Sequence, residues 1–419
     1  MRRDIKFYIS SDNALFMDYD VVVIGAGPSG LLAARDIASQ GMEVCVIERS
    51  QEIGYPVKCS GLFSIAGLKQ LEVKLDSSLI CSTIRGGRFY SPTGEEFLAY
   101  SKHDRAWVLE RKMFHKALAK EAVKAGAEIK LKTQALDMKR KEEEVSVKIN
   151  EVGEEKTVTA RLLIGADGAG SNVSKWAGIK RGTGFVSAAQ VEVPHVNLEE
   201  DVAELYFGKT FAPGFYAWIL PKGEVYEVGL GSQGGALATP WQLLKRFMSD
   251  HPVASAKIDQ KSILEFNMGA IPVGGPKDTT VSDNVMLVGD AAGQTKASTG
   301  GGVVTGGICA RIAAKAALSA IEERDFSKAY LTREYDGKWR AELEHEFMAH
   351  LFLKGVLDSA TDSELDNLFT LIKREGIPEL MTRYTDTDRP LEFVKEVLKK
   401  EAVLEWAQGF LDIRKEFLS

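Results

Sequence analysis

Gly25-Ala26-Gly27-Pro28-Ser29-Gly30 is the first run in this 419-residue chain whose residue types and spacing point to a chemistry. The G-x-G-x-x-G pattern follows the apolar run Val21 to Ile24 and opens a helical pattern from Leu31 to about Ser39. In that setting Gly25 permits a tight turn, Gly27 lets backbone approach a pyrophosphate, and Gly30 lets helix and strand pack closely. The free N–H groups and positive end of the helix then face the phosphates. Glu48 ends a second apolar strand, Glu43 to Ile47, where a carboxylate accepts both hydroxyls of an adenosine ribose and disfavours a 2′-phosphate. These residues specify a dinucleotide site and leave FAD and NAD open.

The choice is made far downstream. In Asn284-Val-Met-Leu-Val-Gly-Asp290-Ala-Ala-Gly293 an aspartate directly follows a buried strand, and Gly300-Gly301-Gly302 opens another helix. A long cofactor suits that layout, with Asp290 accepting from ribityl hydroxyls and the second helix N-terminus facing the flavin pyrimidine end. FAD is therefore expected, although Asp290 read alone is also a plain helix N-cap.

Two further groups bear on a substrate. Seven aromatics, Tyr206, Phe207, Phe211, Phe215, Tyr216, Trp218 and Tyr226, crowd into 21 residues, against 9% across the chain. In an extended strand Tyr216, Trp218 and Leu220 share one face, giving a flat apolar surface that suits a long hydrocarbon better than a charged metabolite. Ordinary sheet core is the alternative. Cys59 lies in the loop-like stretch Gly54 to Ser64, where Lys58 and the two small residues after it favour an accessible, partly activated thiol. A free cysteine is more often a small buried hydrophobe.

These residues need elements to hold them. The length suggests roughly two to three domains. The pattern reads as α/β: a doubly wound, Rossmann-like FAD-binding domain over 17–180 and 281–325, with a small hairpin insert near 85–108. An inserted β-rich, antiparallel-sheet substrate domain over 181–280 and a C-terminal helical region over 326–419 complete it. Arg111 to Ala125 reads as an amphipathic helix with Phe114, Leu118 and Ala122 on one stripe. Leu391 to Leu418 has helical apolar spacing, but its mixed charges suit packing on the protein more than a membrane surface.

Composition excludes other classes. A net charge of −6 supplies no footprint for nucleic acid. Cys45, Cys59, Cys81 and Cys309 have no metal-ligand or C-x-x-C spacing, which excludes a metal site and fits a reducing compartment. The six histidines show no H-x-x-H pattern and read as surface or packing residues. Residues 1–16 carry no secretory h-region, and Met17 is a candidate start. Gly301 to Ile321, the most apolar helix candidate, contains Arg311 and Lys315, so no membrane span is expected. The expected location is cytoplasmic, with peripheral contact at a membrane surface left open.

The G-x-G-x-x-G unit, Arg111 in LERKMFHKAL, Ala166-Asp167-Gly168 in GADGAGSNV and the GDAAG segment together resemble the flavoprotein superfamily that includes para-hydroxybenzoate hydroxylase. Within it, Pro56-Val57-Lys58-Cys59-Ser60-Gly61 is similar to the P-x-x-C-[GS]-G loop of geranylgeranyl reductases. Tyr216-Ala217-Trp218-Ile219-Leu220-Pro221-Lys222 is similar to their Y-x-W-x-F-P motif, with Leu220 in place of the Phe. The likeness covers about residues 17–380. It implies FAD held by Gly25, Gly27, Ser29, Gly30, Glu48, Arg49, Cys59, Gly61, Arg111, Asp167, Gly168, Asp290, Gly301 and Gly302, with Arg111 on the phosphates. Read alone, Arg111 is also a solvated arginine at a helix start. The resemblance further implies a substrate at Tyr216, Trp218 and Leu220, and Cys59 near the flavin as the group that tunes or completes the reductive step. The implied reaction saturates C=C bonds in geranylgeranyl chains of archaeal-type membrane lipids, with NAD(P)H, ferredoxin or another reductant as electron donor. Three rivals stand beside it. A flavin-dependent aromatic monooxygenase is opposed by Gln294-Thr295-Lys296, where that branch shows His and then Pro. A flavoprotein dehydrogenase passing electrons to quinone is opposed by the lack of clustered cysteines for an iron-sulfur centre. A non-catalytic nucleotide-binding scaffold would be colourless when purified.

Overall fold

The computed structural model describes residues 17–409 apart from 58, 181, 183, 234–237 and 385. The candidate start segment 1–16, Lys58 beside Cys59, and the expected helix beyond 409 lie outside the described residues.

Tyr19–Ile24 pairs in parallel with Val44–Ile47 on one side and with Glu154–Gly165 on the other. Glu128–Lys130 and Val285–Leu287 extend the sheet in parallel on either side, and Val281–Ser282 adds an antiparallel strand beyond the latter. Strands buried on both faces must be continuously apolar, which is why Val21, Val22 and Val23 are all fully buried. The helices Pro28–Ala38, Arg111–Ala125 and Val303–Glu323 cover one face. The other is closed by an antiparallel meander of Thr133–Lys141, Glu144–Glu151 and the start of Glu154–Gly165, through Met138, Val145, Val147 and Ile149. The expected stripe on Arg111–Ala125 is buried, and Glu110 caps that helix by accepting from Met113 N at 2.6 Å. Val303–Glu323 is long and apolar enough to cross a membrane by composition. Here it is a core helix on Pro28–Ala38, and its Arg311 pairs with Asp36 and Glu72, both at 3.0 Å.

The second sheet holds Phe185–Val193, Val202–Phe207, Tyr216–Lys222, Val225–Gln233 and Glu265–Pro272. Helix Pro240–Asp250 covers its outer face with Leu243, Leu244, Phe247 and Met248. The expected hairpin insert is corrected. Its strands Gly86–Tyr90 and Glu96–Tyr100 belong to this second sheet, because Gly86–Tyr90 pairs in parallel with Val202–Phe207. Ala106–Leu109 leaves the hairpin for a small sheet with Leu62–Ser64 and Ile80–Ile84, so the expected loop 54–64 ends in a strand.

Helices Gly337–Ser359, Asp362–Arg374, Ile377–Arg383, Leu391–Leu398 and Glu401–Gln408 form the C-terminal region. The boundary at 326 does not divide cores, since Phe326, Tyr330, Tyr335, Trp339, Leu343 and Phe347 all fill the first core. Val394, Leu398 and Ala407 pack with Ala349, as their spacing predicts.

Gly25 has a φ of +106°, and a Cβ on Gly30 would stand 2.1 Å from the Gly25 carbonyl oxygen. Helix propensity alone makes Gly30→Ala stabilising by about 1 kcal/mol. The backbone contact reverses that sign, and denaturant unfolding of Gly30→Ala should show a loss of about 1–3 kcal/mol.

Candidate active site

A cavity of about 1180 Å³ runs from the Gly-rich turn, past the second sheet, into the C-terminal helices. Its first end is polar. Gly25, Gly27 and Ser29 line it, and the Glu48 carboxylate is fixed by Ala26 N at 2.9 Å and Ser50 N at 2.8 Å. Each Glu48 oxygen keeps a lone pair for a ribose hydroxyl. Arg49, Gly168, Asp290, Gly301 and Gly302 line the same space. Asp290 accepts from Thr295 Oγ1 at 2.6 Å and caps no helix, since the turn Gly289–Ala292 has Val288 at its N-cap. Burial pushes its carboxyl up, opposed by the Thr295 hydroxyl and by Arg111.

Arg111 is the observation that tests the cofactor. Its side chain is buried at 6% exposure, with the guanidinium 5.0 Å from the Phe63 ring and 5.6 Å from Phe114. Nε and Nη1 have no hydrogen-bond partner, so this is not the solvated arginine of the alternative reading. A buried cation with idle donors, on the wall of a cavity, fits a phosphate-bearing ligand. His115 beside it also has an idle Nε2, and burial with the Arg111 charge holds its imidazole neutral. The residues present therefore fit FAD.

Of the remaining expected cofactor residues, Asp167 lines the cavity while Gly61 and Gly30 do not. The Gly61 carbonyl accepts from Leu109 N at 2.9 Å, tying the cysteine loop to a strand. The Asp167 carboxylate is committed to the helix Asn172–Trp176, accepting from Ser171 Oγ at 2.6 Å and Asn172 N at 2.7 Å. Gly30 serves packing, as its clash distance shows.

The other end of the cavity is hydrocarbon. Tyr216, Trp218 and Leu220 share the face toward it, as strand alternation predicts, joined by Phe207 and Phe215. The broader aromatic crowd divides. Tyr206 and Phe211 point to the opposite face, against Phe247 and His251. Trp218 lies flat over Gly229, where a Cβ would fall 2.4 Å from the ring, and its Nε1 donates to the buried Glu227 at 3.3 Å. Burial pushes Glu227 up to about 7, against the pull of Lys222. The Tyr216 hydroxyl donates to Thr299 O at 2.7 Å, and burial and the neighbouring Cys59 push the phenol up. Cys59 is half-buried and lines the cavity there.

Sequence reading missed two parts of this wall. Phe352, Leu365, Phe369, Phe393, Val397 and Trp406 show that the C-terminal helices close the far end. Lys296, Ser298, His350 and Asp388 form a buried polar group on the wall, although His350 was expected to be a surface or packing residue. A lysine amid small residues between GDAAG and the glycine run was the available signal; nothing local marks Asp388.

Comparison with known proteins agrees with this geometry. Residues 18–225 match the FAD binding domain family and residues 185–271 match the geranylgeranyl reductase catalytic domain. Digeranylgeranylglycerophospholipid reductase of Methanocaldococcus jannaschii is 34% identical over 94% of this chain and 98% of its own length. The Methanosarcina acetivorans protein of that name is 37% identical over 85% of this chain and 88% of its own. A geranylgeranyl bacteriochlorophyll reductase-like structure from Thermoplasma acidophilum superposes with a TM-score of 0.82 at 29% identity, covering 94% and 99% of the two chains. The p-nitrophenol 4-monooxygenase of Pseudomonas putida shares the fold, with a TM-score of 0.70 at 17% identity over 90% and 97% of the chains.

Arg111→Met should weaken FAD binding by about 1.5–3 kcal/mol, the scale of a hydrogen bond to a charged group. Because no protein group takes Arg111 Nε or Nη1, the melting temperature without FAD should hold while that with FAD falls. Paired apo and holo thermal scans check this, and an equal loss in both would make Arg111 merely structural.

Proposed function

The chain belongs to the digeranylgeranylglycerophospholipid reductase family, and from that premise we propose how its own residues carry the reaction. It is an FAD-dependent oxidoreductase that saturates C=C bonds of geranylgeranyl lipids. When bound and reduced, FAD supplies the hydride that one alkene carbon receives. The Gly-rich turn, Glu48 and Arg111 bind and orient the cofactor at the polar end of the cavity. Tyr216, Trp218, Leu220 and the C-terminal helices hold the hydrocarbon chain and exclude water, which aligns an alkene that no polar group can grip.

The second alkene carbon needs a proton. Tyr216 has committed its hydroxyl to Thr299, and Lys296 has committed its ammonium to Asp388. In this reading Cys59 Sγ, beside Tyr216 on the same wall, is the group that delivers it as the hydride arrives. The observation that carries the reading is the continuity of one cavity from Arg111 and Asp290 to the aromatic wall, with Cys59 between.

The electron donor is NAD(P)H, ferredoxin or another reductant, and the location is cytoplasmic with peripheral contact at the membrane that holds the substrate. Supporting that contact, Ile263, Leu264, Phe266 and Met268 are exposed at the edge of the second sheet, where Trp241 packs 4.9 Å from the Phe266 ring beneath Lys245. Apolar and aromatic side chains with a neighbouring cation suit an anionic lipid surface.

Mass spectrometry of geranylgeranyl lipids after incubation with anaerobically reduced protein tests the reaction. Cys59→Ser should slow single-turnover saturation by about 100-fold to 10,000-fold, the span of a general acid, while FAD reduction by dithionite is unchanged. A wild-type rate would return Cys59 to the role of a small hydrophobe. Leu264→Asp with Phe266→Asp should lower cosedimentation with anionic vesicles about tenfold, a cost of the size expected for two buried apolar side chains or less, while detergent-dispersed substrate is still reduced.

A further inference from the structure

Lys296 and Asp388 form an ion pair at 2.6 Å, with side-chain exposures of only 11% and 6%. Beside them Ser298 Oγ and His350 Nδ1 stand 2.7 Å apart. Lys296 holds the Asp388 carboxyl low against the upward push of burial, so the pair stays charged. Burial and the same Lys296 charge bring His350 down to about 3, so its imidazole is neutral. The group thus carries one positive and one negative charge on a wall that continues into hydrocarbon. Asp388 Oδ2 and His350 Nε2 have no partner.

Stability does not account for this arrangement. A buried ion pair is commonly matched or bettered by a well-packed apolar pair of the same volume. Its position suggests another role. A Cβ on Gly301 would fall 2.7 Å from Lys296 Cε and 3.1 Å from Nζ, and Lys296 N donates to Gly301 O at 3.0 Å. Gly301 and Gly302 open the Val303–Glu323 helix at the cofactor end of the cavity, and a Cβ on Gly302 would stand 2.9 Å from Asp290 Oδ1. Lys296 therefore places a full charge at the helix entrance where the cofactor's ring is expected.

We propose that Lys296 and Asp388 set the reduction potential of the bound flavin, Lys296 favouring the reduced anionic ring and Asp388 restraining that effect. The inference rests on the FAD reading above. The ring that accepts two electrons and one proton gains a negative charge, and a fixed charge nearby shifts the balance between the oxidised and reduced forms. An isolated alkene is a poor hydride acceptor, so a flavin made too easy to reduce would not pass its hydride on. Asp388 keeps the Lys296 field in check, and the neutral His350 adds no charge to it.

Spectroelectrochemical titration of the holoprotein tests the proposal without reference to turnover. Lys296→Met should lower the midpoint potential and Asp388→Asn should raise it. Each change should shift the reduced-to-oxidised ratio about tenfold, or about 30 mV for a two-electron couple. Lys296→Arg keeps the charge and should stay near the wild-type potential. Should Lys296→Met lose its FAD, the rise in Asp388→Asn and the constancy of Lys296→Arg still decide the matter. Shifts of the same sign, or no shift in variants that hold FAD, would overturn the assignment while leaving lipid reduction intact. A wild-type protein that holds no FAD would instead overturn the cofactor reading.

Discussion

A polyanionic cofactor and a hydrocarbon chain prefer opposite solvents, yet this reaction requires them to touch. The fold is arranged around that conflict. Charge is gathered at one end of the cavity, where Glu48 and Asp290 stand just past the strands Val44–Ile47 and Val285–Leu287 and Arg111 opens its helix. Rings and aliphatic side chains from the second sheet and the last helices gather at the other. Where the two regions meet, polar groups are tied to one another: Tyr216 to Thr299, Trp218 to Glu227, Lys296 to Asp388. These hydrogen bonds offset part of the cost of burying the polar groups against hydrocarbon.

Local chemistry was legible in the sequence wherever one short segment supplies it. The G-x-G-x-x-G turn, Glu48, Asp290 and the shared face of Tyr216, Trp218 and Leu220 depend on spacing within a strand or a turn, and Gly25, Gly27, Glu48, Asp290 and the three strand residues line one cavity. Aromatic density was a coarser guide than alternation, since period two sent Tyr206 to the opposite face from Trp218. The hairpin at 86–100 was legible as a hairpin, but its neighbour was not. A parallel pairing with Val202–Phe207 spans more than a hundred residues and leaves no local trace. The Lys296–Asp388 pair was hidden for the same reason, being 92 residues apart.

Comparison with the p-nitrophenol 4-monooxygenase shows how little the scaffold alone decides. The two chains share a fold, and a fold by itself does not fix the chemistry. The particular reaction belongs to what fills the cavity. Here that is a cysteine loop, a ring-lined strand lying over glycine, and a lysine where the hydroxylase branch was expected to show a different pair of residues.

The long-range construction of the first core also orders events during synthesis. Tyr19–Ile24 emerges early but has no second neighbour until Glu154–Gly165 has been made, and its helical cover is incomplete until Phe347. The nucleotide end of the cavity thus comes together only after most of the chain has left the ribosome. The hydrocarbon end closes later still, with Val403 and Ala407. A nascent chain cut short between those points would own a seat for the coenzyme and no sealed chamber for the lipid, leaving any reduced flavin open to the surrounding water.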